Sequence, residues 1–395
     1  MKKNLLVFRH LARYFCSQIS ASETFFAKDL ILEKCPPSQL QTKPVSWEGL
    51  KFGHHFTDHM LTVEWRHETG WKKPHIGRLR NLELHPAAKV FHYATELFEG
   101  MKAYRFPDDR ISLFRPELNM QRMLRSAERA CLPSFDAEEL LQLIEKLIRL
   151  DEEWVPRIKD ASLYIRPTFI GTDPHLGVSQ SFDALLFVIL CPVSAYFDSG
   201  FRPISLYADP RFVRSWKGGV GSCKMGSNYA ATILLGKTAQ DYGCQQVLWL
   251  YGRDEYLTEV GTMNIFVVVR NKTTHKRELV TPHLTDGLIL PGVTRQSLLE
   301  LAREMDDLTV KEADFTMIEL REALAEGRVL ELFGSGTACI VAPVNHILYR
   351  RGDTHDDIEI PTMQQEDPIY LRLYNAVCDI QYGRSHRPGW MRMVT

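Results

Sequence analysis

The sequence lacks several features that would assign it to a special class of protein. Its longest apolar run, around residues 184–193, has the length of a buried strand and is too short to span a bilayer. Neither sign of charge is in excess, because 48 Lys and Arg residues stand against 49 Asp and Glu residues. This balance argues against a protein that binds nucleic acid or a membrane surface. The chain also contains no internal repeat and no low-complexity tract.

Paired cysteines and metal-ligand spacings are absent as well. None of the eight cysteines forms a Cys-x-x-Cys pair, and several lie within apolar runs, where free thiols behave as small hydrophobic side chains. The histidines show no spacing typical of a zinc site. We therefore predict a reducing compartment, no disulfide framework and no metal.

The first 22 residues contain no acidic side chain, and the first one in the chain is Glu23. Apolar residues recur there at three-to-four spacing, so that a helix would have one apolar face flanked by basic residues. This pattern predicts a mitochondrial transit peptide over residues 1–27 and a location in the matrix. A secretory signal fits less well, because Arg9 interrupts the apolar stretch. An ordinary terminus with an accidental charge bias, and with it a cytoplasmic location, stays open. The basic residues of the segment are Lys2, Lys3, Arg9 and Arg13.

The length of 395 residues suits two domains, and a content of 45% hydrophobic and 25% charged residues suits a globular protein with a real core. We predict an α+β protein with a small N-terminal α/β domain over 28–193, an interdomain linker over 194–204 and a large C-terminal domain over 205–395. The sheets should be mostly antiparallel or mixed. The clearest elements are a helix opened by Asp136, strands at 184–190, 247–250, 264–269 and 279–281, and a helix over 294–305.

A lysine stands within a run of small residues between Gly218 and Tyr229. Small residues let a ligand approach the backbone closely, and Lys224 could form an imine if desolvation removed its charge. The phenol of Tyr229, five residues later, could donate a hydrogen bond to a ring oxygen of a cofactor. Taken alone, the segment is more typical of a flexible glycine loop with a solvated lysine.

Glu259 stands just before an apolar strand in the segment 257–264. A buried carboxylate needs a partner, and a protonated pyridinium nitrogen would be a partner that keeps the ring an electron sink. A surface acid at the entry of a strand is an equally good interpretation.

Two further segments could bind an anion. The Pro-Gly turn before Val293 and Thr294 leads into a helix, so that the amides of both residues would stand at a helix N-terminus, with the Thr294 hydroxyl as an added donor. An ordinary Thr N-cap is the alternative. The Gly-Ser-Gly-Thr turn at 334–337 offers successive amides to phosphate or carboxylate, although a lone glycine-rich turn is a weak indication. Together the four segments indicate one site more strongly than any of them does alone, because all four lie in one domain in an order that is compatible with a shared site.

At this point the chain resembles a known family, the branched-chain aminotransferases among the fold-type IV pyridoxal-phosphate enzymes. The eukaryotic enzymes resemble it closely over nearly the whole chain after the leader. Its motifs include Glu-Leu-Phe-Glu-Gly-Met-Lys-Ala at 96–103 and Thr-Glu-Val-Gly-Thr-Met-Asn at 258–264. Further matching stretches are 56–60, 163–167, 246–252, 290–294, 333–339 and 379–383.

The resemblance implies a role for each of a set of residues. Lys224 would hold pyridoxal 5'-phosphate as a Schiff base and shuttle a proton, while Tyr229 and Glu259 would bond the ring oxygen and the ring nitrogen. Thr262 and Met263 would lie beside the ring. The phosphate would contact Arg122, Leu290, Val293, Thr294 and Thr337. The substrate carboxylate would meet the amides of Ala338 and Cys339, and Arg166 would pair with the distal carboxylate of glutamate. The side-chain pocket would use Phe52, Phe98, Tyr164, Tyr196 and Ala338, with Tyr93, Leu176 and Val178 contributed by a partner subunit.

The implied activity is reversible transamination of L-leucine, L-isoleucine or L-valine with 2-oxoglutarate, by a ping-pong mechanism in a homodimer. One apolar pocket with a single arginine at its rim would accept both leucine and glutamate side chains. Two alternatives stay open. One keeps the fold and the cofactor but changes the reaction, to a D-amino-acid aminotransferase or an aminodeoxychorismate lyase. The other is a catalytically idle interaction protein on the same fold.

The sequence departs from the family at one site. Mammalian members carry a Cys-x-x-Cys redox centre after the Gly-Thr-Ala turn, whereas this chain has Cys339 followed by Ala342 at the second position. A local disulfide is therefore impossible there, and oxidation of Cys339 would find no neighbouring thiol to resolve it.

Overall fold

The computed structural model describes residues 24–158, 160–194 and 202–395. Residues 1–23 of the predicted leader, most of the predicted linker and the candidate residue Tyr196 lie outside the described residues.

A ten-stranded sheet is built mainly from the first half of the chain. Its strands run in the order β1-β4-β2-β9-β8-β6-β7-β19, with β3 beside β2 and β5 beside β8. Every pair is antiparallel except β1 with β4. The strands are β1 (Ile31–Leu32), β2 (His59–Arg66), β3 (Gly70–Trp71), β4 (His75–Arg78), β5 (Glu96–Phe98), β6 (Met101–Arg105), β7 (Ile111–Phe114), β8 (Ser162–Gly171), β9 (Asp183–Val193) and, from the end of the chain, β19 (Met391–Met393).

Helices cover this sheet because their apolar stripes are buried against it. The predicted helix after Asp136 is confirmed: the Asp136 carboxylate accepts hydrogen bonds from the amides of Glu138 and Glu139, as an N-cap does. Its leucine and isoleucine stripe is buried in the first core. The helices of this half are α1 (Lys89–Tyr93), α2 (Pro116–Arg129) and α3 (Ala137–Leu150).

Residues at the end of the predicted leader are part of the first core. Phe25 is buried, with its ring 4.9 Å from that of Trp71 and 5.9 Å from that of Phe135. The Ala27 amide donates to the Glu139 carboxylate at 2.6 Å. Removal of the chain up to residue 27 would therefore take buried groups out of this core.

The second sheet has nine strands and is mixed. Its order is β12-β11-β10-β17-β16-β13-β14-β15, with β18 beside β17, and an added β12–β13 pairing closes part of it into a ring. The strands predicted at 247–250, 264–269 and 279–281 are confirmed. The strands are β10 (Ile204–Ala208), β11 (Gln246–Tyr251), β12 (Tyr256–Val260), β13 (Met263–Arg270), β14 (Arg277–Thr281), β15 (Leu308–Glu312), β16 (Val329–Gly336), β17 (Ile340–Arg351) and β18 (Thr354–Glu359).

One helix of the second half is shorter than the sequence pattern indicates. The helix predicted over 294–305 begins one residue earlier and ends three residues earlier. The helices of the second half are α4 (Ser227–Ala230), α5 (Ile233–Asp241), α6 (Val293–Ala302), α7 (Met317–Ala325) and α8 (Ile369–Gln381). Short 3-10 turns lie at Ala27–Asp29, Pro37–Gln39, Glu152–Trp154 and Pro361–Gln364. None of the helices within 24–158, 160–194 and 202–395 has the length and hydrophobicity that a membrane span requires.

The end of the chain returns to the first sheet. Strand β19 pairs with β7, and Val394 is buried in the first core. Arg392 forms ion pairs with Glu138 at 2.6 Å and with Glu145 at 2.5 Å, both on α3. The α+β class with mixed sheets is confirmed, while the domain boundaries at 194–204 stay a prediction.

Candidate active site

One cavity of about 390 Å³ lies between the two halves of the molecule. The first half contributes aromatic side chains and an arginine, and the second contributes a lysine, a tyrosine and the turn between β16 and β17. The cavity is lined by most of the residues that are predicted to contact the substrate or the ring of the cofactor. The lining residues are Phe52, Phe98, Gly100, Tyr164, Arg166, Lys224, Tyr229, Gln246, Thr262, Met263, Gly336, Thr337, Ala338 and Cys339.

Lys224 is held in this cavity through both its backbone groups. Its amide donates to the Ser126 hydroxyl at 2.9 Å, and its carbonyl accepts from the Phe98 amide at 3.0 Å. Its ammonium group lies 2.9 Å from the Tyr229 hydroxyl. Burial, together with the positive charge of Arg122, lowers the Lys224 pKa to about 8. The interpretation of this segment as a flexible glycine loop with a solvated lysine is therefore wrong.

Tyr229 remains a protonated phenol across the physiological range. Burial, together with the negative charge of Glu259, raises its pKa to about 12. Its ring packs against that of Phe98, with centroids 4.9 Å apart. The hydroxyl can therefore donate a hydrogen bond to an acceptor in the cavity.

Glu259 precedes the apolar strand β13, as predicted, and itself lies within the short strand β12. It is only 2% exposed, so the surface interpretation is wrong. Its carboxylate forms an ion pair with Arg214, whose Nε lies 3.0 Å away, and accepts a hydrogen bond from the Leu290 amide at 2.8 Å. Burial raises the Glu259 pKa above its usual value, against the opposing effect of Arg214. The sequence did not indicate Arg214 as a partner.

Arg122 is paired with Glu99, a residue that the sequence analysis missed. The Nε and Nη2 groups of Arg122 donate to the two oxygens of Glu99, each at 2.7 Å, and both side chains are buried. Although burial raises the pKa of Glu99, the charge of Arg122 brings it below its usual value. A third donor of Arg122 reaches the Pro291 carbonyl at 3.1 Å. Since a guanidinium has five N–H groups, two have no hydrogen-bond partner among the residues that the structure describes.

The turn before helix α6 is fixed from two sides. The Leu290 carbonyl accepts from the Asn264 amide group at 2.8 Å, while its N–H donates to Glu259. Gly292 is the N-cap and no side chain caps the helix, so the interpretation of Thr294 as an ordinary N-cap is wrong. A side chain at Gly292 would overlap the Asn264 amide oxygen. Leu290, Val293 and Thr294 are buried beside this turn and do not line the cavity.

The glycine-rich turn also differs from its prediction. Gly334, Ser335 and Gly336 belong to strand β16, and the turn itself consists of Thr337, Ala338 and Cys339. The Cys339 thiol donates to the Met263 sulfur at 3.3 Å. Burial raises the pKa of Cys339 to about 11, so this thiol stays protonated.

Aromatic rings hold Arg166 at the rim of the cavity. Its Nη2 donates to the Tyr164 hydroxyl at 2.9 Å, and its guanidinium lies 4.7 Å from the centre of the Phe98 ring. Phe52 packs edge-on against Tyr164 at 4.8 Å. The Arg166 Nε is buried and has no hydrogen-bond partner among the described residues. The arrangement leaves a cationic group directed at an apolar pocket.

Three predicted residues lie away from the cavity of their own chain. Leu176 and Val178 are 60% and 85% exposed, and Tyr93 is 39% exposed. The Tyr93 hydroxyl donates to the Leu176 carbonyl. Lys89 fixes the same loop by donating to the Gly177 carbonyl at 2.8 Å.

Several residues of the site were not identified from the sequence. Glu99, Gln246 and Asn264 stand inside stretches that carry the family resemblance, so their motif was a usable signal. Arg214 stands in none of these stretches. Its role depends on a contact across the fold that no local pattern indicates.

Comparisons with known proteins show the family of the chain. Residues 96–347 match the model of the class IV amino-transferase family. The cytosolic branched-chain-amino-acid aminotransferase of Mus musculus is 56% identical over 364 residues, which cover 92% of each chain. The mitochondrial enzyme of Rattus norvegicus is 53% identical over 374 residues, covering 94% of this chain and 93% of that one.

The solved structures agree on the fold. The branched-chain amino acid aminotransferase from Thermobaculum terrenum, in its PLP form, superposes with a TM-score of 0.67 at 21% identity, over 86% of this chain and 98% of that one. At that identity the likeness concerns the fold alone. On the strength of the family match and the identity to its relatives over nearly their whole length, the chain belongs to the branched-chain-amino-acid aminotransferases.

Proposed function

We propose that this protein is a pyridoxal-phosphate-dependent transaminase that exchanges the amino group of L-leucine, L-isoleucine or L-valine with that of L-glutamate. The reaction is reversible and yields a branched 2-oxo acid and L-glutamate from the branched amino acid and 2-oxoglutarate. The single observation that carries the proposal is the Lys224 amine, bonded at 2.9 Å to a protonated Tyr229 hydroxyl in a cavity of the right size.

The residues of the site fit pyridoxal phosphate. Lys224 is a half-buried lysine whose pKa of about 8 makes its amine available as a nucleophile. Glu259 would hold the ring nitrogen, and Tyr229 the ring oxygen. The N-terminus of α6 and the two free donors of Arg122 would hold the phosphate. When bound, the cofactor supplies an electron sink for the bond that breaks at the amino-acid Cα.

The chain's own groups would then handle the proton and the substrate. The Lys224 amine would accept the proton that leaves Cα and deliver it to C4′ of the cofactor within the same half-reaction, and it would move a proton in the opposite direction in the second half-reaction. Phe52, Phe98 and Tyr164 exclude water from a branched side chain, while Arg166 pairs with the distal carboxylate of glutamate. The amides of Ala338 and Cys339 receive the carboxylate next to Cα.

A spectrophotometric titration tests the reaction directly. We expect L-leucine to shift the visible absorbance band of the cofactor-loaded protein, and 2-oxoglutarate to restore that band. Lys224→Ala should abolish turnover. Lys217→Ala is the matched control, because Lys217 is exposed and pairs with Asp286 at the surface. Turnover of D-amino acids or 4-amino-4-deoxychorismate without L-leucine would support the alternative activities. Failure to acquire any visible band with added cofactor would support an idle protein.

The proposed enzyme is a homodimer. Exposed apolar residues around Leu176 and Val178 lie on a loop that Lys89 and Tyr93 hold in place, which suits a rigid contribution to the cavity of a second copy. Sedimentation should give a dimer, and Val178→Asp should weaken it and lower activity together. A fully active monomer would contradict the proposal.

The proposed location is the mitochondrial matrix. The acid-free, basic and amphipathic character of residues 1–22 supports it, and the burial of Phe25 supports a leader that ends before Thr24. Relatives of both cytosolic and mitochondrial description match the chain, so fractionation and N-terminal peptide mapping of the native protein are the test.

A further inference from the structure

Lys102 is a buried lysine that connects the two sheets at the edge of the cavity. It lies in β6 directly opposite Tyr164 of β8, so that both side chains leave the sheet on the same face. It is 8% exposed, and its ammonium group donates to the Ala338 carbonyl at 2.9 Å, across to the turn between β16 and β17. None of the roles described above uses it.

The charge of Lys102 has no ion-pair partner among the described residues. The ionisable groups that act on it are the thiols of Cys339 and Cys378, which are themselves buried. Burial lowers the Lys102 pKa to about 8. A buried cation without a counter-charge is costly, and the cost falls when an anion arrives nearby.

The hydrogen bond to Ala338 connects Lys102 to the peptide group between two residues that line the cavity. The Ala338 carbonyl and the Cys339 N–H belong to one peptide group, and Ala338 and Cys339 both line the cavity. A cation on the carbonyl end of a peptide polarises it and strengthens the N–H at the other end as a donor. It also fixes the plane of that peptide.

We propose that Lys102 is a positioning residue for the substrate carboxylate, acting through the Ala338–Cys339 peptide group. The proposal rests on the proposed function, in which these amides receive the carboxylate next to Cα. Lys102 makes the turn an anion site by orienting and polarising the peptide, and it does so from the opposite sheet without lining the cavity itself. Ligands with a carboxylate should therefore depend on Lys102, whereas ligands of the same shape without one should not.

The test measures binding by calorimetry on the cofactor-loaded protein, so that it does not depend on turnover. The probes are 4-methylpentanoate, which is leucine without its amino group, and 4-methylpentan-1-ol, which lacks the carboxylate. Lys102→Met keeps the length of the apolar stem and removes the charge. We expect it to raise the Kd of 4-methylpentanoate about tenfold and to leave that of the alcohol unchanged. Lys102→Arg should restore carboxylate binding, because it keeps a cationic donor.

Kinetics give the second measurement. Lys102→Met should raise the KM for L-leucine about tenfold and change the kcat/KM for 3-methylbutylamine, which has no carboxylate, by less than about twofold. If Lys102→Met does not fold, Lys102→Gln replaces it, with the same loss of carboxylate affinity expected. Equal weakening of both probes, or unchanged carboxylate binding, would overturn the proposal. A wild-type protein that binds the carboxylate but does not transaminate L-leucine would contradict the proposed function instead.

Discussion

The guanidinium of Arg122 and the carboxylate of Glu99 form a two-bond ion pair with both partners buried, each bond 2.7 Å long. Asn119 donates a further hydrogen bond to Glu99 at 2.8 Å. This pairing fixes the guanidinium plane next to the turn before α6. It also neutralises one positive charge close to Lys224, which limits how far the Lys224 pKa falls.

Removal of the Glu99 charge should destabilise the protein strongly. Glu99→Gln leaves the buried Arg122 without its counter-charge, so we expect the free energy of unfolding to fall by about 3 kcal/mol. Urea unfolding followed by fluorescence measures it. Glu64→Gln is the control, because Glu64 pairs with Lys72 at the exposed surface, where a loss below about 1 kcal/mol is expected. Equal losses in the free energy of unfolding from the two substitutions would show that burial of the ion pair does not determine the size of the loss.

Gly100 should be required for the position of Tyr164. A side chain at Gly100 would overlap the Tyr164 hydroxyl, which also accepts from Arg166. Gly100→Ala should therefore lower kcat/KM for L-leucine by about tenfold to hundredfold. Gly236→Ala, in helix α5 with open space around it, should leave kcat/KM unchanged and add up to about 1 kcal/mol of stability. Full activity of Gly100→Ala would mean that Tyr164 does not need this position.

The availability of the Lys224 amine should depend on pH near 8. Its pKa is lowered from 10.5 to about 8, and only the uncharged amine attacks an aldehyde. The rate at which cofactor-free protein takes up pyridoxal phosphate should therefore rise with pH, with a midpoint near 8. Stopped-flow absorbance between pH 6 and pH 10 measures it. A midpoint close to that of a solvated lysine would contradict the burial of this amine.

Cys339 should resist oxidation despite lining the cavity. Its pKa of about 11 keeps it a thiol, and thiols react far more slowly than thiolates. Transaminase activity should therefore survive mild peroxide or diamide that oxidises exposed cysteines. Among the described cysteines only Cys131 is exposed. Cys131→Ser should therefore remove the fast phase that Cys131 contributes to a thiol titration. Rapid loss of activity that Cys339→Ser prevents would contradict this expectation.

Arg166 should distinguish the two acceptor acids. Arg166→Met keeps bulk at the rim and removes the charge, so kcat/KM for 2-oxoglutarate should fall at least about tenfold more than that for 4-methyl-2-oxopentanoate. Arg149→Met, at an exposed surface pair with Glu152, is the control and should change neither. Parallel losses with both acids would mean that Arg166 supports the pocket as a whole and not the distal carboxylate.

Local patterns predicted those parts of the structure that local interactions determine. Helix α3 could be predicted because Asp136 caps a regular apolar stripe. The stretches around Lys224 and Glu259 could be predicted as a site because their residue types suit one chemistry. The interpretation of Thr294 as an N-cap and the prediction of a turn at 334–337 were wrong. The residue at which a strand ends or a helix begins depends on contacts with neighbouring strands and turns.

Contacts between distant parts of the chain could not be predicted. The bond from Lys102 to Ala338 joins residues 236 positions apart, and that from Ser112 to Arg392 joins residues 280 apart. Such pairs follow from the order of strands in the two sheets, which no spacing in the sequence specifies. Arg214, which lies in none of the stretches that carry the family resemblance, belongs to this class.

The return of strand β19 to the first sheet has a consequence for synthesis. The ribosome makes residues 391–394 after all the other strands of the first sheet, yet they supply the edge partner of β7 and a buried side chain of the first core. The other strands of this sheet therefore leave the ribosome with an open edge at β7, which stays open until residues 391–394 have been made. A premature stop that spares Lys224 and every residue lining the cavity would still leave the earliest-made sheet incomplete and prone to pair with the edge of another nascent chain.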